Sequence, residues 1–392
     1  MTSKTVPQWL FPLLATACGI IVANLYYAQP LAGPISAALG MTPQATGLIV
    51  TLTQIGYVIG LIFIVPIGDL IENRRLIVTT IAICVLALLS LAVAQTPSVF
   101  LLAAFGVGIT SVTVQIIVPY AAHLAPEEER GRIVGNVMSG LLLGIMLARP
   151  VSSFIADYAG WRTVFVLSAV VVAALGLLLW RALPLRQPEH RSSYAALIGS
   201  LGKLLVHTPT LQRRAAYQFF QFCAFSLFWT VAPLLLASPA FGLSQSGIAL
   251  FALAGVAGAI SAPIAGRLAD RGLGKIATFA GFVCVLVAYL MTRLLDSGTV
   301  ALGLLVFAGI LLDFGVTMSM VSGQRIIYNL GGHIRARLNA LYMAIFFVGG
   351  ALGSSLGAWL YAHGGWHWAS SMGMALPVLA LLVLATERRE KV

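Results

Sequence analysis

The chain has 392 residues, of which 59% are hydrophobic and only 9% are charged, and its formal net charge at pH 7 is +11. Because a soluble domain carries about 25% charged residues, this composition excludes a soluble enzyme or binding module. It predicts a protein that crosses a lipid bilayer many times.

The apolar sequence divides into twelve segments. A helix that spans a membrane needs about 20 apolar residues, and the polar loops separate twelve segments of roughly that length, which we number spans 1 to 12. The predicted fold class is therefore an all-α membrane protein with twelve transmembrane helices. The approximate bounds of the spans are residues 9–33, 44–67, 76–96, 98–122, 133–156, 162–183, 213–237, 246–268, 275–294, 299–322, 338–361 and 366–386.

The basic residues are sorted by side of the membrane. Of the 23 Lys and Arg residues, 20 fall in alternate loops that share one side, and only Arg149, Arg162 and Arg293 lie elsewhere. This positive-inside bias predicts that the shared side, together with both termini, is cytoplasmic. The basic charge thus serves topology, and we expect no nucleic-acid partner.

The chain consists of two similar halves. "RGRIVGNV" (130–137) resembles "RARLNALY" (335–342), and a Trp follows each second Arg by 29 residues, at Trp161 and Trp366. The long basic loop 184–212 is the predicted linker between six-helix bundles at 1–183 and 213–392, and residues 194–207 are a candidate amphipathic surface helix. Internal repeats of this kind are common in secondary transporters, whose binding site lies at the midplane between the repeats.

Small residues recur at four-residue spacing on spans 2, 5, 8 and 11. Such stripes let helix backbones approach closely, so we expect these four spans to form the seam between the bundles; the alternative is generic helix packing. The stripes are Gly56 and Gly60; Gly140 and Gly144; Ala254, Gly258, Ala262 and Gly266; and Gly349, Gly353 and Gly357.

Two full charges lie well inside the predicted spans, Arg149 on span 5 and Asp313 on span 10. Intramembrane charges are costly and mark functional sites by default. Asp313 is the candidate proton-binding residue; the alternative is a structural carboxyl satisfied by hydroxyls or by Arg149. Arg149 either binds an anionic group of the substrate, sets the pKa of Asp313, or extends to the outer interface. Their predicted depths differ by roughly 10 Å, which leaves direct pairing open.

Three loop motifs resemble those of the major facilitator superfamily. The match is clearest in "GRLADRGLGK" (266–275), weaker in "GDLIENRR" (68–75), and present again in "PEEERGR" (126–132). The resemblance covers nearly the whole chain, and within the superfamily the chain looks most like bacterial drug and metabolite exporters. It implies a location in the bacterial inner membrane and a central cavity lined by spans 1, 4, 7 and 10.

The resemblance also implies a cytoplasmic gate formed by the loops 68–75 and 266–275. The alternative is a solvated loop that only sets topology, since an exposed ion pair contributes about 0–1 kcal/mol. The candidate gate residues are Asp69, Glu72, Arg74, Arg75, Asp270 and Arg271.

Aromatic and amide side chains at similar depth are the candidate cavity lining. A chamber of this kind suits an amphiphilic organic molecule; the alternatives are lipid contact, helix packing and interhelical hydrogen bonds. The candidates are Asn24, Tyr27, Gln54, Tyr57, Gln115, Gln218, Phe222, Phe225 and Trp229.

The predicted function is proton-coupled export of small amphiphilic organic compounds by a monomer in the bilayer, with no cofactor, no metal and no enzymatic activity. No phosphate-binding motif is visible that would supply ATP energy. Two proton-antiport signatures of the superfamily are altered: Leu102 replaces an Arg before Gly106, and Arg149–Pro150 replaces Gly–Pro. The alternatives are a dedicated carrier of one metabolite (an amino acid, sugar, nucleoside or siderophore) and a membrane sensor that does not transport.

Overall fold

The computed structural model describes residues 7–188, 193–256, 261–294, 297–331 and 334–387, except for the side chains at 262, 263, 269 and 270. Throughout these ranges the secondary structure is helical, without a β-strand, as the composition predicts. Nine described helices are long and apolar enough to cross a membrane. One of them contains two spans, and the described parts of spans 1 and 8 are shorter helices, which together confirms the twelve-helix fold.

The first half contains spans 1 to 6. Two of its spans are interrupted: span 1 loses regular helix between residues 24 and 31, and span 4 breaks at Val112. In chain order the helices are Leu10–Ala23 and Ala32–Ala38 (span 1), Leu48–Phe63 (span 2), Asn73–Val93 (span 3), Pro97–Ser111 and Thr113–Leu124 (span 4), Arg130–Ala159 (span 5) and Trp161–Ala182 (span 6).

The second half follows the linker. The predicted amphipathic helix is present as Tyr194–His207, capped by the Ser193 hydroxyl, which accepts the Ala196 N–H. The spans that follow are Pro209–Ala237 (span 7), Gln245–Ala254 and Ser261–Asp270 (span 8), Gly274–Met291 (span 9), Gly298–Tyr328 (span 10) and Arg335–Ala385 (spans 11 and 12).

The repeated Gly–Trp pair has the same structural role in both halves. Gly160 has φ 77° between spans 5 and 6, and Gly365 has φ 58° between spans 11 and 12. Because residues with a Cβ rarely adopt positive φ, glycine is needed at both turns. This equivalence explains why the two tryptophans follow their arginines at the same distance.

The four spans predicted at the seam do join the halves. Span 2 packs against span 11, and span 5 packs against span 8. On the side opposite the linker, the Thr51 hydroxyl lies 2.8 Å from that of Ser354 and donates to Ala351 O at 2.9 Å. Gln29 on span 1 reaches Thr230 on span 7 at 3.5 Å. The halves therefore meet on that side through uncharged hydrogen bonds and through one bond in which the Ser246 hydroxyl of span 8 donates to the exposed carboxylate of Asp157 on span 5.

The expected role of the glycine stripes was wrong, however. A Cβ at Gly56 would meet span 4, one at Gly144 would meet Gly19 of span 1, and one at Gly353 would meet Cys223 of span 7. The stripes of spans 2, 5 and 11 thus each pack a seam helix against a neighbour in its own half, whereas Gly258 and the side chain of Ala262 in the span 8 stripe lie outside the described residues. The pattern reports close backbone approach, but it does not reveal which neighbour approaches.

The contact between Gly144 and Gly19 predicts a position-specific effect of an added methyl group. We expect Gly144→Ala to lower the melting temperature of the purified protein, since overpacking of a fitted contact costs about 1–3 kcal/mol. Gly135→Ala is the matched control, because it lies in the same helix and its Cβ would have no neighbour within 4 Å. Equal melting temperatures for the two variants would contradict this packing.

Candidate functional site

A buried pair of opposite charges lies between the halves. Arg149 Nη1 of span 5 is 3.9 Å from Asp313 Oδ2 of span 10, and their side chains are 5% and 13% exposed. This separation is an electrostatic contact but too long for a hydrogen bond. The pairing that the sequence left open is present, and it links the two halves directly.

Asp313 is held in place by spans 7 and 8. The indole Nε1 of Trp229 donates to Asp313 Oδ1 at 2.7 Å. A Cβ at Gly255 would lie 2.8 Å from Asp313 Oδ2 and 2.9 Å from Trp229 Cζ2. Glycine at 255 therefore leaves room for both side chains where span 8 passes the site.

Arg149 is surrounded by aromatic rings. The guanidinium carbon lies 4.2 Å from the ring centre of Trp229, 5.0 Å from that of Phe225 and 5.8 Å from that of Tyr26. The Arg149 guanidinium forms no hydrogen bond with any described residue, and its buried Nε lacks a partner there. Cation–π contacts and the charge of Asp313 are what stabilise this buried cation.

A cavity of about 230 Å³ extends from the charge pair toward the linker side of the protein. One face of span 10 forms a wall along its length, through residues three or four apart. Most of the remaining lining is apolar, with four methionines. The span 10 residues are Asp313, Val316, Thr317, Met320, Gln324 and Tyr328, and the methionines are Met138, Met146, Met320 and Met343.

The structure brings four of the predicted aromatic and amide residues to this cavity together with the charge pair. Tyr57, Gln115, Phe222 and Phe225 all line it. Gln115 Nε2 donates to the Tyr57 hydroxyl at 3.0 Å, which joins spans 4 and 2 at the wall. Trp229 does not line the cavity itself but contacts Asp313 and Arg149, which do.

The other predicted lining residues on span 1 point elsewhere. Asn24 accepts a hydrogen bond from Ser168 of span 6 and donates to backbone carbonyls of its own helix. Tyr27 packs at the edge of the core, while its neighbour Tyr26 lines the cavity. The helix break after Ala23 shifts the phase of these residues, so a regular helical pattern selects the wrong tyrosine.

Two predicted glutamines form interhelical hydrogen bonds instead of lining the cavity. Gln54 donates to Ser226 Oγ at 3.1 Å, and Gln218 donates to Ser319 Oγ at 2.7 Å. The first bond connects the halves, and the second connects spans 7 and 10. Both are buried, and these contacts explain why neither faces the cavity.

A polar cluster that the sequence does not predict lies at the linker-side end of the cavity. Asn339 Oδ1 accepts from the Tyr328 hydroxyl at 2.8 Å and from Gln324 Nε2 at 3.2 Å. Gln324 and Tyr328 stand out as polar groups on span 10, but nothing in the sequence connects them to Asn339. Phe346 and Phe347 of span 11, which also line the cavity, were missed as well.

The candidate gate residues have mostly local contacts. Glu72 caps the helix of span 3 by accepting the N–H groups of Arg74 and Arg75, and it also accepts the Arg186 N–H of the linker. Asp69 and Arg271 are exposed, and the side chain of Asp270 lies outside the described residues. Within the described part of the chain, no ion pair joins the two gate loops.

Twelve helices in two repeated halves around a central cavity are the architecture of a membrane transporter. The sequence model of the Major Facilitator Superfamily matches residues 14–331 and, in a second match, 214–392. The chain therefore belongs to the major facilitator superfamily.

Relatives that are named as transporters match this chain over almost their whole length. The putative transporter YgaY of Escherichia coli K12 is 39% identical over 374 residues, which cover 95% of this chain and 94% of the relative. The probable transporter SCO4007 of Streptomyces coelicolor is 32% identical over 379 residues, with 96% and 87% coverage.

A solved structure shows the same fold at low sequence identity. A bacterial homologue of the human lysosomal transporter Spinster, in an inward-facing and unoccupied conformation, matches with a TM-score of 0.75 and 14% identity. The match covers 98% of this chain and 96% of the homologue. Like these proteins, this chain is a multi-pass membrane transporter that handles small molecules.

The hydrogen bond from Trp229 predicts a cost for losing the indole. We expect Trp229→Phe to lower the melting temperature, because a buried carboxylate oxygen that loses its donor costs about 1–3 kcal/mol. Trp180→Phe is the control, since Trp180 on span 6 is half exposed. A drop no larger than that of the control would show that this bond does not stabilise the site.

Proposed function

We propose that this protein exports small amphiphilic organic compounds across the bacterial inner membrane in exchange for protons. The observation that carries the proposal is the Arg149–Asp313 pair at the closed end of a cavity that extends toward the linker side. The basic loops favour a cytoplasmic linker and cytoplasmic termini. With that orientation, the cavity receives substrate from the cytoplasm.

The two halves are suited to alternate around this cavity. Residues 1–183 and 213–392 would move as two units of a monomer, hinged by the linker. Neutral hydrogen bonds such as that between Thr51 and Ser354 seal the outer side, and each contributes only about 0.5–1.5 kcal/mol. Such a seal can open when another free-energy contribution of similar size favours the outward-open state.

In the outward-open state the cytoplasmic side must close. The loops after spans 2 and 8 would then meet, and their charges would form the gate. In the present conformation the cavity extends to the cytoplasmic side. The scheme therefore requires the two gate loops to be apart in this conformation. The proposed gate consists of Asp69, Glu72, Arg74, Arg75, Asp270 and Arg271.

Asp313 is the proposed site of proton exchange. It is the only acidic side chain among the described residues that line the cavity. Protonation would remove its attraction to Arg149 on the other half, so the proton would act directly on a contact between the two units. Reciprocal linkage then couples proton binding to the equilibrium between conformations.

The cavity lining favours an amphiphilic substrate. Methionine and phenylalanine side chains provide an apolar wall that adapts to different shapes. Gln115 and the cluster around Asn339 add neutral polar groups at the sides and at the mouth. This combination of apolar surface with a few polar groups is typical of small-molecule sites.

A tolerance panel in an efflux-deficient bacterial host tests the proposal. We expect the protein to raise tolerance to several lipophilic compounds, and Asp313→Asn, at matched membrane expression, to return tolerance to the level of the empty vector. Glu128→Gln is the control, because it neutralises an exposed carboxylate outside the cavity.

Two outcomes would contradict the proposal. Full tolerance with Asp313→Asn would exclude the role of this carboxyl in coupling. No tolerance to any compound with the unmodified protein would exclude broad export and favour a carrier of one metabolite.

A further inference from the structure

Both members of the charge pair have hydrogen-bonding capacity that the protein does not use. The Arg149 guanidinium donates to no described residue, and the Asp313 carboxylate accepts only the Trp229 N–H, at Oδ1. Arg149 Nη1 and Asp313 Oδ2 face each other at 3.9 Å without a hydrogen bond. Both residues line the cavity, so a donor and an acceptor lie side by side at its closed end.

The electrostatics of the pair disfavour a charged ligand group. The described residues that line the cavity include no full charge besides Arg149 and Asp313, and the two sum to zero. A cation that approaches Asp313 also approaches Arg149, and an anion that approaches Arg149 also approaches Asp313. In this weakly polar site the attraction and the repulsion are of similar size, and the ligand still loses its hydration.

A single neutral group can satisfy both partners. Two hydrogen bonds of about 2.8 Å each suffice to bridge the 3.9 Å gap between Nη1 and Oδ2. A hydroxyl group accepts from the guanidinium through its oxygen and donates its own hydrogen to the carboxylate. A primary amide does the same with its carbonyl oxygen and its N–H.

The aromatic rings around Arg149 also favour a neutral ligand group. The guanidinium already lies over the rings of Trp229 and Phe225, at 4.2 and 5.0 Å, and Phe225 also stacks on Phe222, so a ligand cation would have to share these rings with Arg149. Beyond the pair, the walls are apolar and rich in methionine. A polar head at the pair and an apolar body along span 10 would match this arrangement.

We propose that the substrates are neutral amphiphiles whose hydroxyl or primary amide head bridges Arg149 Nη1 and Asp313 Oδ2. This inference rests on the transport function proposed above and specifies its substrate class. The head donates to the ionised carboxylate, so substrate and proton compete for Asp313. Such competition is what an exchanger of substrate for protons requires.

A series of ligands with one body and four heads tests the inference. Hexanol, hexanamide, hexanoate and hexylammonium, together with their octyl and decyl analogues, are compared at equal free concentration. The readout is the ligand-induced rise in melting temperature of the purified protein in a nonionic detergent. We expect the alcohol and the amide to bind at least about 10-fold more tightly than the two ions of equal length.

Variants of Arg149 and Asp313 test whether the ligand head binds at the charge pair. Arg149→Gln and Asp313→Asn should each weaken alcohol binding by about 10- to 100-fold, the usual range for a hydrogen bond to a charged group. Arg149→Lys keeps the charge and should give an intermediate loss if Arg149→Gln fails to fold. Arg162→Gln is the matched control, because Arg162 also stacks on a tryptophan, at 4.1 Å from the Trp161 ring, but lies outside the cavity.

Several results would overturn the inference. Tighter binding of the ammonium compounds would show that Asp313 alone recognises the head, and tighter binding of the carboxylates would assign that role to Arg149. No stabilisation by the alcohols or amides at any chain length would also overturn it. Since no proton gradient is involved, this test can fail while Asp313 still couples transport to protons, and it can succeed if the coupling is absent.

Discussion

The contact between Arg149 and Asp313 is the constraint on which the rest of the site depends. Each charge alone would be unfavourable at this degree of burial, and removal of one partner from a buried pair costs about 3–5 kcal/mol. Trp229 stabilises both, because its N–H binds the carboxylate and its ring faces the guanidinium. Gly255 leaves the space for this arrangement, and the glycine contact at Gly144 holds span 5, which carries Arg149, against span 1.

The pair also differs in kind from the other contacts between the halves. Those at Thr51 and at Gln29 are neutral, the one from Ser246 goes to the exposed carboxylate of Asp157, and each is worth little once water can replace it. The pair at the end of the cavity is charged and changes strongly if Asp313 takes up a proton. In the proposed cycle, the buried charge pair is therefore the contact that responds to the proton, and the hydrogen bonds on the outer side set a low barrier to opening.

The sequence predicted the fold well because hydropathy, loop charge and the internal repeat all report on it independently. The twelve spans, the helix Tyr194–His207 and the two intramembrane charges followed from local composition. The side-chain environment was harder to predict. Asn24, Gln54 and Gln218 look like cavity residues, but each has a serine partner on another helix, and a single sequence does not show such partners.

The choice of Tyr27 over Tyr26 has a different cause. One residue changes the direction of a side chain by about 100° on a helix, and both tyrosines lie within the break in span 1. The glycine stripes failed for a related reason, since a small residue marks a close neighbour without identifying it. The cluster at Asn339 depends on spans 10 and 11 meeting at the mouth of the cavity, which is a property of the assembled bundle.

Infrared difference spectroscopy of the purified protein between acidic and alkaline buffer would test most directly whether Asp313 exchanges protons at the pair. The account predicts a protonated carboxyl band that appears on acidification, disappears in Asp313→Asn, remains in Glu128→Gln and shifts in Arg149→Gln. Identical spectra for the unmodified protein and Asp313→Asn would contradict it, because they would show that Asp313 keeps one protonation state and acts only as a structural partner of Arg149.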